Sequence, residues 1–170
     1  MTPSPVSPVL VTLEPDALRR KGLTVAEQRL INRAVACLEE KYLVQGAVLT
    51  SPQATRDYLK LRLDNLAYEV FAILLLNNRH QVLGYRELFH GTLDGANIYP
   101  REVVRLVFET NAAAVIFAHN HPSGLTEPSQ ADLRITQQLK QALALIEVRV
   151  LDHLIIGAGE GTSLAERRLL

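Results

Sequence analysis

The sequence predicts an α/β domain, a sheet with helices beside it. Three observations carry that prediction. Short unbroken apolar runs, Val70 to Leu76 and Ala113 to Ala118, have strand length and end at polar residues. Segments with apolar residues at helical spacing alternate with those runs. Helix-start residues head the helical segments: Ser51-Pro52, Pro100 and Ser129.

Taken in order, residues 1–8 hold prolines at 3, 5 and 8 and read as a loose tail. Val9 to Leu13 reads as a short strand. Thr24 to Glu40 reads as a helix: Thr24 and Glu27 form a capping box, and Leu30, Ile31, Ala34, Val35 and Leu38 recur at helical spacing. Cys37 sits in that pattern and reads as a packing residue. Ser51-Pro52 opens a second helix that runs to about Leu63. Glu69 then precedes seven apolar residues, a buried strand ended by Asn77-Asn78. A turn over Asn77 to His80 leads to Val82–Phe89, its hairpin partner. His90 to Asn97 holds two glycines and reads as a loop. Pro100 starts a helix with Val103, Val104, Val107 and Phe108 on its inner face. Ala113–Ala118 is a central strand, with the histidines directly after it. The helix from Ser129 has a stripe of Leu133, Thr136, Leu139, Ala142 and Leu143. Val148–Ile156 is a strand or strand pair ended by Gly157 and Gly159, and Ser163–Leu170 is a tail of one helical turn. The domain is expected over 46–170, with 1–45 as an N-terminal extension made of a flexible tail plus one helix.

Composition narrows the function classes. A length of 170 residues favours one domain, and 48% hydrophobic residues suffice for its core. The 18 basic and 18 acidic residues cancel, so no global basic field draws in nucleic acid. A local patch stays open; Arg19-Arg20-Lys21 and Arg167-Arg168 are the compact basic clusters. A single cysteine excludes an internal disulfide framework and a multi-cysteine zinc site. No secretory signal is evident, so a cytoplasmic location is expected. No apolar run reaches the roughly 18 residues of a membrane span.

The chemistry concentrates in Phe117-Ala118-His119-Asn120-His121-Pro122-Ser123-Gly124 and in Pro128 to Asp132. A chain leaving a strand places residues i and i+2 on one side, so His119 and His121 face one point and Asn120 turns away. Pro122 and Gly124 then turn the chain. Asp132, in the first turn of the next helix, is in reach as a third ligand. Two imidazoles and a carboxylate suit Zn²⁺, and three protein ligands leave a fourth position for water, as in a catalytic site. Such water is acidic near neutral pH. A hydrolytic site also needs a proton carrier. Glu69, at the border of a buried strand, is the candidate, since partial burial raises a carboxyl pKa toward the working range. Ser129 is a candidate hydrogen-bond donor to a developing oxyanion. Plainer readings stand beside these. Ser129-x-x-Asp132 is also a good helix cap, His-x-His occurs in loops that bind nothing, and a strand-end glutamate is often a solvated acid.

The set Glu69, His119-x-His121, seven residues, Ser129, two residues, Asp132 resembles the JAMM (MPN+) metalloprotease signature. The strings Phe89-His90-Gly91-Thr92-Leu93, Tyr99-Pro100-Arg101-Glu102, Asn111-Ala112-Ala113-Ala114, His119 to Gly124 and Leu151-Asp152-His153-Leu154-Ile155-Ile156-Gly157 are similar to the RadC family of JAB-domain proteins, over about residues 46–170. The resemblance implies a JAB/MPN (deaminase-like) fold, a central mixed sheet flanked by helices. It implies His119, His121 and Asp132 as zinc ligands, Glu69 as the acid/base, Ser129 as oxyanion support, and a peptide or protein substrate cut at a peptide or isopeptide bond. Glu87 and Glu102 are the rival carboxylates. Full-length RadC proteins carry a helix-hairpin-helix module; residues 1–45 resemble the short forms without it. The alternative function is a DNA-repair-associated role, as a DNA-binding module or a metal-dependent nuclease.

Four further features are noted. Asp152 and His153 are strand neighbours that face opposite sides, so at most one reaches the site, and structural hydrogen bonding is the first reading of both. Arg101, at a helix start, is a mild candidate for a substrate carboxylate or phosphate against a solvated surface role. Residues 90–98 are the loop expected to gate the site.

Overall fold

The computed structural model describes residues 20–44, 51–91 and 98–170. In chain order it holds α1 (Val25–Glu39), a π-helical turn (Glu40–Val44), α2 (Pro52–Leu63), β1 (Val70–Leu76), β2 (Val82–His90), α3 (Pro100–Thr110), β3 (Ala114–Asn120), α4 (Gln130–Ala144), β4 (Arg149–Ile156) and β5 (Thr162–Ser163). The strands form one sheet in the order β2-β1-β3-β4-β5. β3 and β4 are parallel and the other neighbours are antiparallel, so the sheet is mixed. Parallel neighbours need a crossover, and α4 supplies it. The result is the expected α/β class: four helices on a five-stranded mixed sheet, as in a JAB/MPN domain.

The unbroken apolar runs follow from burial on both faces. All seven residues of β1 are buried. Ala72, Leu74 and Leu76 face a core with Tyr58, Leu59 and Leu63 of α2. Phe71, Ile73 and Leu75 face the opposite core, with Val103 and Val107 of α3 and Leu139 and Leu143 of α4. β3 alternates the same way: Ala114, Ile116 and Ala118 join the α2 side, and Val115 and Phe117 join the other. The next residue of the second set is His119, so strand parity delivers it to the α4 face.

The helix starts behave as their residues dictate. Thr24 and Glu27 form the capping box, Ser51 Oγ accepts from Ala54 N–H, and Pro100 occupies the first turn of α3. α3 ends at Asn111, which takes the left-handed conformation that Asn tolerates (φ 52°). Residues 20–44 share a core with the sheet: Leu38 and Tyr42 lie with α2, and Arg20 pairs with Leu66. Among the described residues no helix is long and apolar enough to cross a membrane.

Several expectations need correction. β3 continues through His119 and Asn120, because pairing with Ile155 and Ile156 of β4 extends the ladder. Phe108 is exposed; the buried stripe of α3 is Val103, Leu106 and Val107, and one more residue rotates about 100° out of it. Leu30 and Cys37 fall on the outer side of α1 and are exposed. The C-terminal tail first forms β5, and the expected single turn follows it, with Arg167 N–H bonded to Ser163 O and Leu169 N–H to Leu164 O. The strand expected at Val9 to Leu13, and residues 92–97 of the expected loop, lie outside the described residues.

Candidate metal centre

Three elements build the site. The end of β3 supplies His119, almost fully buried at 1% exposure, and His121 follows one residue past the strand. His121 N–H bonds to Ile156 O, and Gly124 N–H closes a turn onto His121 O. Gly124 has φ 82°, a value suited to glycine. The turn is stapled to β4 by Ala158 N–H to Gly124 O, 2.9 Å. Gly157 permits this close approach, since a Cβ there would stand 2.6 Å from Gly124 O. The N-terminus of α4 supplies Asp132. Its Oδ2 accepts from Ser129 N–H and Ser129 Oγ, each at 2.7 Å, while Ser129 Oγ accepts from Asp132 N–H. The plain capping reading of Ser129 and Asp132 is therefore realised, and it aims the carboxylate at the histidines.

His119 Nε2 lies 2.9 Å from His121 Nε2 and 3.3 Å from Asp132 Oδ1, and His121 Nε2 lies 3.6 Å from Asp132 Oδ2. Zinc bonds of about 2.0–2.1 Å at tetrahedral angles place donor atoms about 3.3 Å apart. The three groups thus have the spacing and chemistry to hold a metal ion. His121 Nδ1 stands 2.8 Å from Leu125 O, which can only accept, so Nδ1 carries the hydrogen and neutral His121 has a lone pair on Nε2. Two imidazole nitrogens and a carboxylate then converge, with neutral His121 contributing a lone pair and not a hydrogen. Such a cluster calls for a positive guest, a proton or a metal ion.

The electrostatics agree. Burial pushes His119 down to about 4, so it is neutral near pH 7, the form a metal would need. The Asp132 hydrogen bond, against the opposing effect of burial, holds His121 above the usual imidazole value. Burial alone would raise Asp132, but the hydrogen bond from His121, the neighbouring His119 ring and the bonds from Ser129 hold it well below the carboxylate range.

Glu69 stands one residue before β1, half-buried. Burial raises its pKa, the nearby His121 lowers it, and Asp132 raises it further. Both of those influences come from members of the cluster, so Glu69 is electrostatically coupled to it. Asn120 sets this position. Its Oδ1 accepts from Val70 N–H at 2.8 Å and its Nδ2 donates to Tyr68 O at 3.0 Å, so it holds the backbone on both sides of Glu69. The rival carboxylates are elsewhere. Glu87 pairs across β1 with Ala72, on the α2 side of the sheet, and meets Tyr85 Oη at 3.2 Å and Arg62 at 3.9 Å. Glu102 pairs with Arg105 on the surface of α3. Arg101 is exposed and 3.9 Å from Glu102. Asp152 accepts from His153 N–H, Ala165 N–H and Ser163 Oγ, anchoring the C-terminal turn. His153 reaches the site instead, with Nε2 2.8 Å from His119 Nδ1.

A family model described as RadC-like JAB domain matches residues 49–169. The chain belongs to this family. It is 55% identical over 156 residues to a UPF0758 protein of Marinobacter nauticus, covering 90% of this chain and 70% of that one. It is 57% identical over 155 residues to one of Nitrosococcus oceani, covering 88% and 68%. Against one of Cellvibrio japonicus it is 62% identical over 122 residues, covering 72% and 54%. The chain therefore spans between about half and seven-tenths of these curated relatives.

Two residues of the RadC-like site escaped the sequence reading, Asn120 and Thr136, and a third, His153, entered it only as one of two strand neighbours of which at most one could reach the site. Asn120 does turn away from the histidines, but toward the segment that carries Glu69. Thr136 carried a legible signal, as the one polar member of the α4 stripe. It is fully buried and bonded to His153 Nδ1 at 2.6 Å. Strand alternation shows that only one of Asp152 and His153 can reach the site, but not which, because which face of β4 meets α4 depends on the sheet register.

Proposed function

We propose that this RadC-like domain is a zinc-dependent hydrolase of the JAMM type that cleaves a peptide or isopeptide bond. The observation that carries the reading is the cluster His119, His121 and Asp132, and the half-buried Glu69 carboxyl feels the charges of two of its members. Zinc held there would supply Lewis acidity toward a carbonyl and toward water. Glu69 takes the proton from the attacking water and returns it to the leaving amine, a role suited to a carboxyl whose pKa is raised. Ser129 orients Asp132 with its hydroxyl proton, so any contribution to the oxyanion requires that hydroxyl to turn from Asp132. The substrate is a peptide or protein chain, and residues 90–98 are the segment that would gate its entry.

The DNA-associated alternative draws little support from two of the cations in the basic clusters. Arg20 is buried and donates to Leu61 O and Arg62 O at the end of α2, and Arg167 pairs with Glu127 at 2.6 Å. Those cations are engaged within the fold and so contribute little to phosphate contacts.

The test is a peptide-library cleavage screen with zinc-loaded protein. Cleavage is expected to stop on chelation, to fall by about 10²–10⁴-fold in Glu69→Gln, and to persist in Glu87→Gln. Equal loss in both variants, or cleavage that survives loss of both histidines, overturns the assignment.

A further inference from the structure

We infer that His153 and Thr136 are positioning residues that preset the metal centre. They hold His119 with a bare Nε2, and they tie it to the helix that carries Asp132. This inference rests on the metal-centre reading above.

The direction of each hydrogen bond follows from the end of the chain. Thr136 Oγ1 lies 2.5 Å from Asp132 O, the carbonyl one turn earlier in α4. Two oxygens that close need a proton between them, and a carbonyl has none to give. The threonine proton is therefore spent on Asp132 O. His153 Nδ1, 2.6 Å from the same hydroxyl, must then be the donor. His153 is fully buried and its ring is met by Phe71 and Phe117 at centroid distances of 5.5 and 5.9 Å. Its hydrogen-bond partners are a hydroxyl and another imidazole, so it is a neutral ring with one hydrogen. With that hydrogen on Nδ1, its Nε2 accepts, and His119 Nδ1, 2.8 Å away, must donate. The lone pair of His119 is left on Nε2, the atom that faces His121 and Asp132.

The chain also closes on itself. It runs from His119 to His153 to Thr136 to the backbone of Asp132, whose side chain stands 3.3 Å from His119 Nε2. Three elements, β3, β4 and α4, are thereby held in one ring of contacts. The ring fixes both the tautomer of one ligand and its distance from another. A histidine that merely fills the core would do neither. A partner of this kind behind a metal ligand is worth about 10–100-fold in metal affinity.

The test reads the tautomers in metal-free, ¹⁵N-labelled protein through the long-range proton couplings of the imidazole nitrogens. Wild type is expected to show His119 and His153 both protonated on Nδ1 alone. In Thr136→Val, which keeps the shape and removes the hydroxyl, the His119 population with hydrogen on Nδ1 is expected to fall. Its zinc dissociation constant should rise by about 10–100-fold with the amide spectrum preserved. Thr136→Ser is expected to restore both. Wild-type His119 carrying its hydrogen on Nε2 overturns the inference without need of any variant. So does a Thr136→Val protein with unchanged tautomer and unchanged zinc affinity. A protein with the expected tautomers that binds no zinc overturns the metal role, and with it the hydrolase reading, but not the relay.

Discussion

At the residue scale the site is a contest between a proton and a metal ion for one lone pair. His121 Nε2 faces Asp132, and that contact holds its pKa above the ordinary imidazole value in the metal-free protein. Metal binding needs this nitrogen unprotonated. Zinc affinity should therefore be full above that raised value and fall as pH drops through it, by about tenfold per pH unit once the proton wins. Zinc titrations across roughly pH 5–8 read this directly, and a flat profile would contradict it. Asn120 offers a second test at this scale. It satisfies Val70 N–H and Tyr68 O, so Asn120→Ala leaves both unpaired and should cost about 2–4 kcal/mol in chemical denaturation. Asn120→Asp should not rescue fully, because it sets a carboxylate oxygen against Tyr68 O. A loss below about 0.5 kcal/mol would show that the bracket around Glu69 matters little.

At the element scale, the turn that carries His121 is held by contact with the end of β4. Gly157→Ala drives a methyl against Gly124 O at 2.6 Å and Thr126 Cγ2 at 2.9 Å. Backbone must move, and the turn from His121 to Leu125 is what stands in the way. The expected result is a loss of about 1–3 kcal/mol with weaker zinc binding, measured by thermal unfolding and by titration. Unchanged zinc affinity would mean that the turn is not positioned by this contact. The same elements show what a sequence reveals. The run from Val70 to Leu76 declares itself, because a strand buried on both faces must be apolar throughout. His119 and His121 share a face by local geometry alone, and Ser129 and Asp132 are legible as a cap. The partners of those residues are not local. His153 meets His119 from 34 residues away and Asn120 meets Val70 from 50, through sheet order and register. Phe108 misled for a local reason: an apolar residue at a helical position does not say which side of the stripe it closes.

At the scale of the whole molecule, the sheet separates two kinds of buried polarity. One face carries the histidines and Asp132 among α3 and α4. The other carries Arg62, set 4.1 Å over the Tyr85 ring and 2.6 Å from Glu39 of α1. Glu87 belongs to that second network, which is why a buried carboxylate on β2 is structural. Because the metal site joins β3 to α4, an ion there should stabilise the whole domain. At free zinc about 100-fold above its dissociation constant the gain is about 2.7 kcal/mol, lost on chelation, and calorimetry reads it as several degrees. The central claim is that His119, His121 and Asp132 hold zinc while Glu69 stays free to carry protons. Its most direct test is the zinc content of wild type, of His119→Ala/His121→Ala and of Glu69→Gln, each purified without chelator. The account predicts about one zinc per chain in wild type and in Glu69→Gln, and none in the double variant. Wild type without zinc, or a double variant that keeps it, would contradict it.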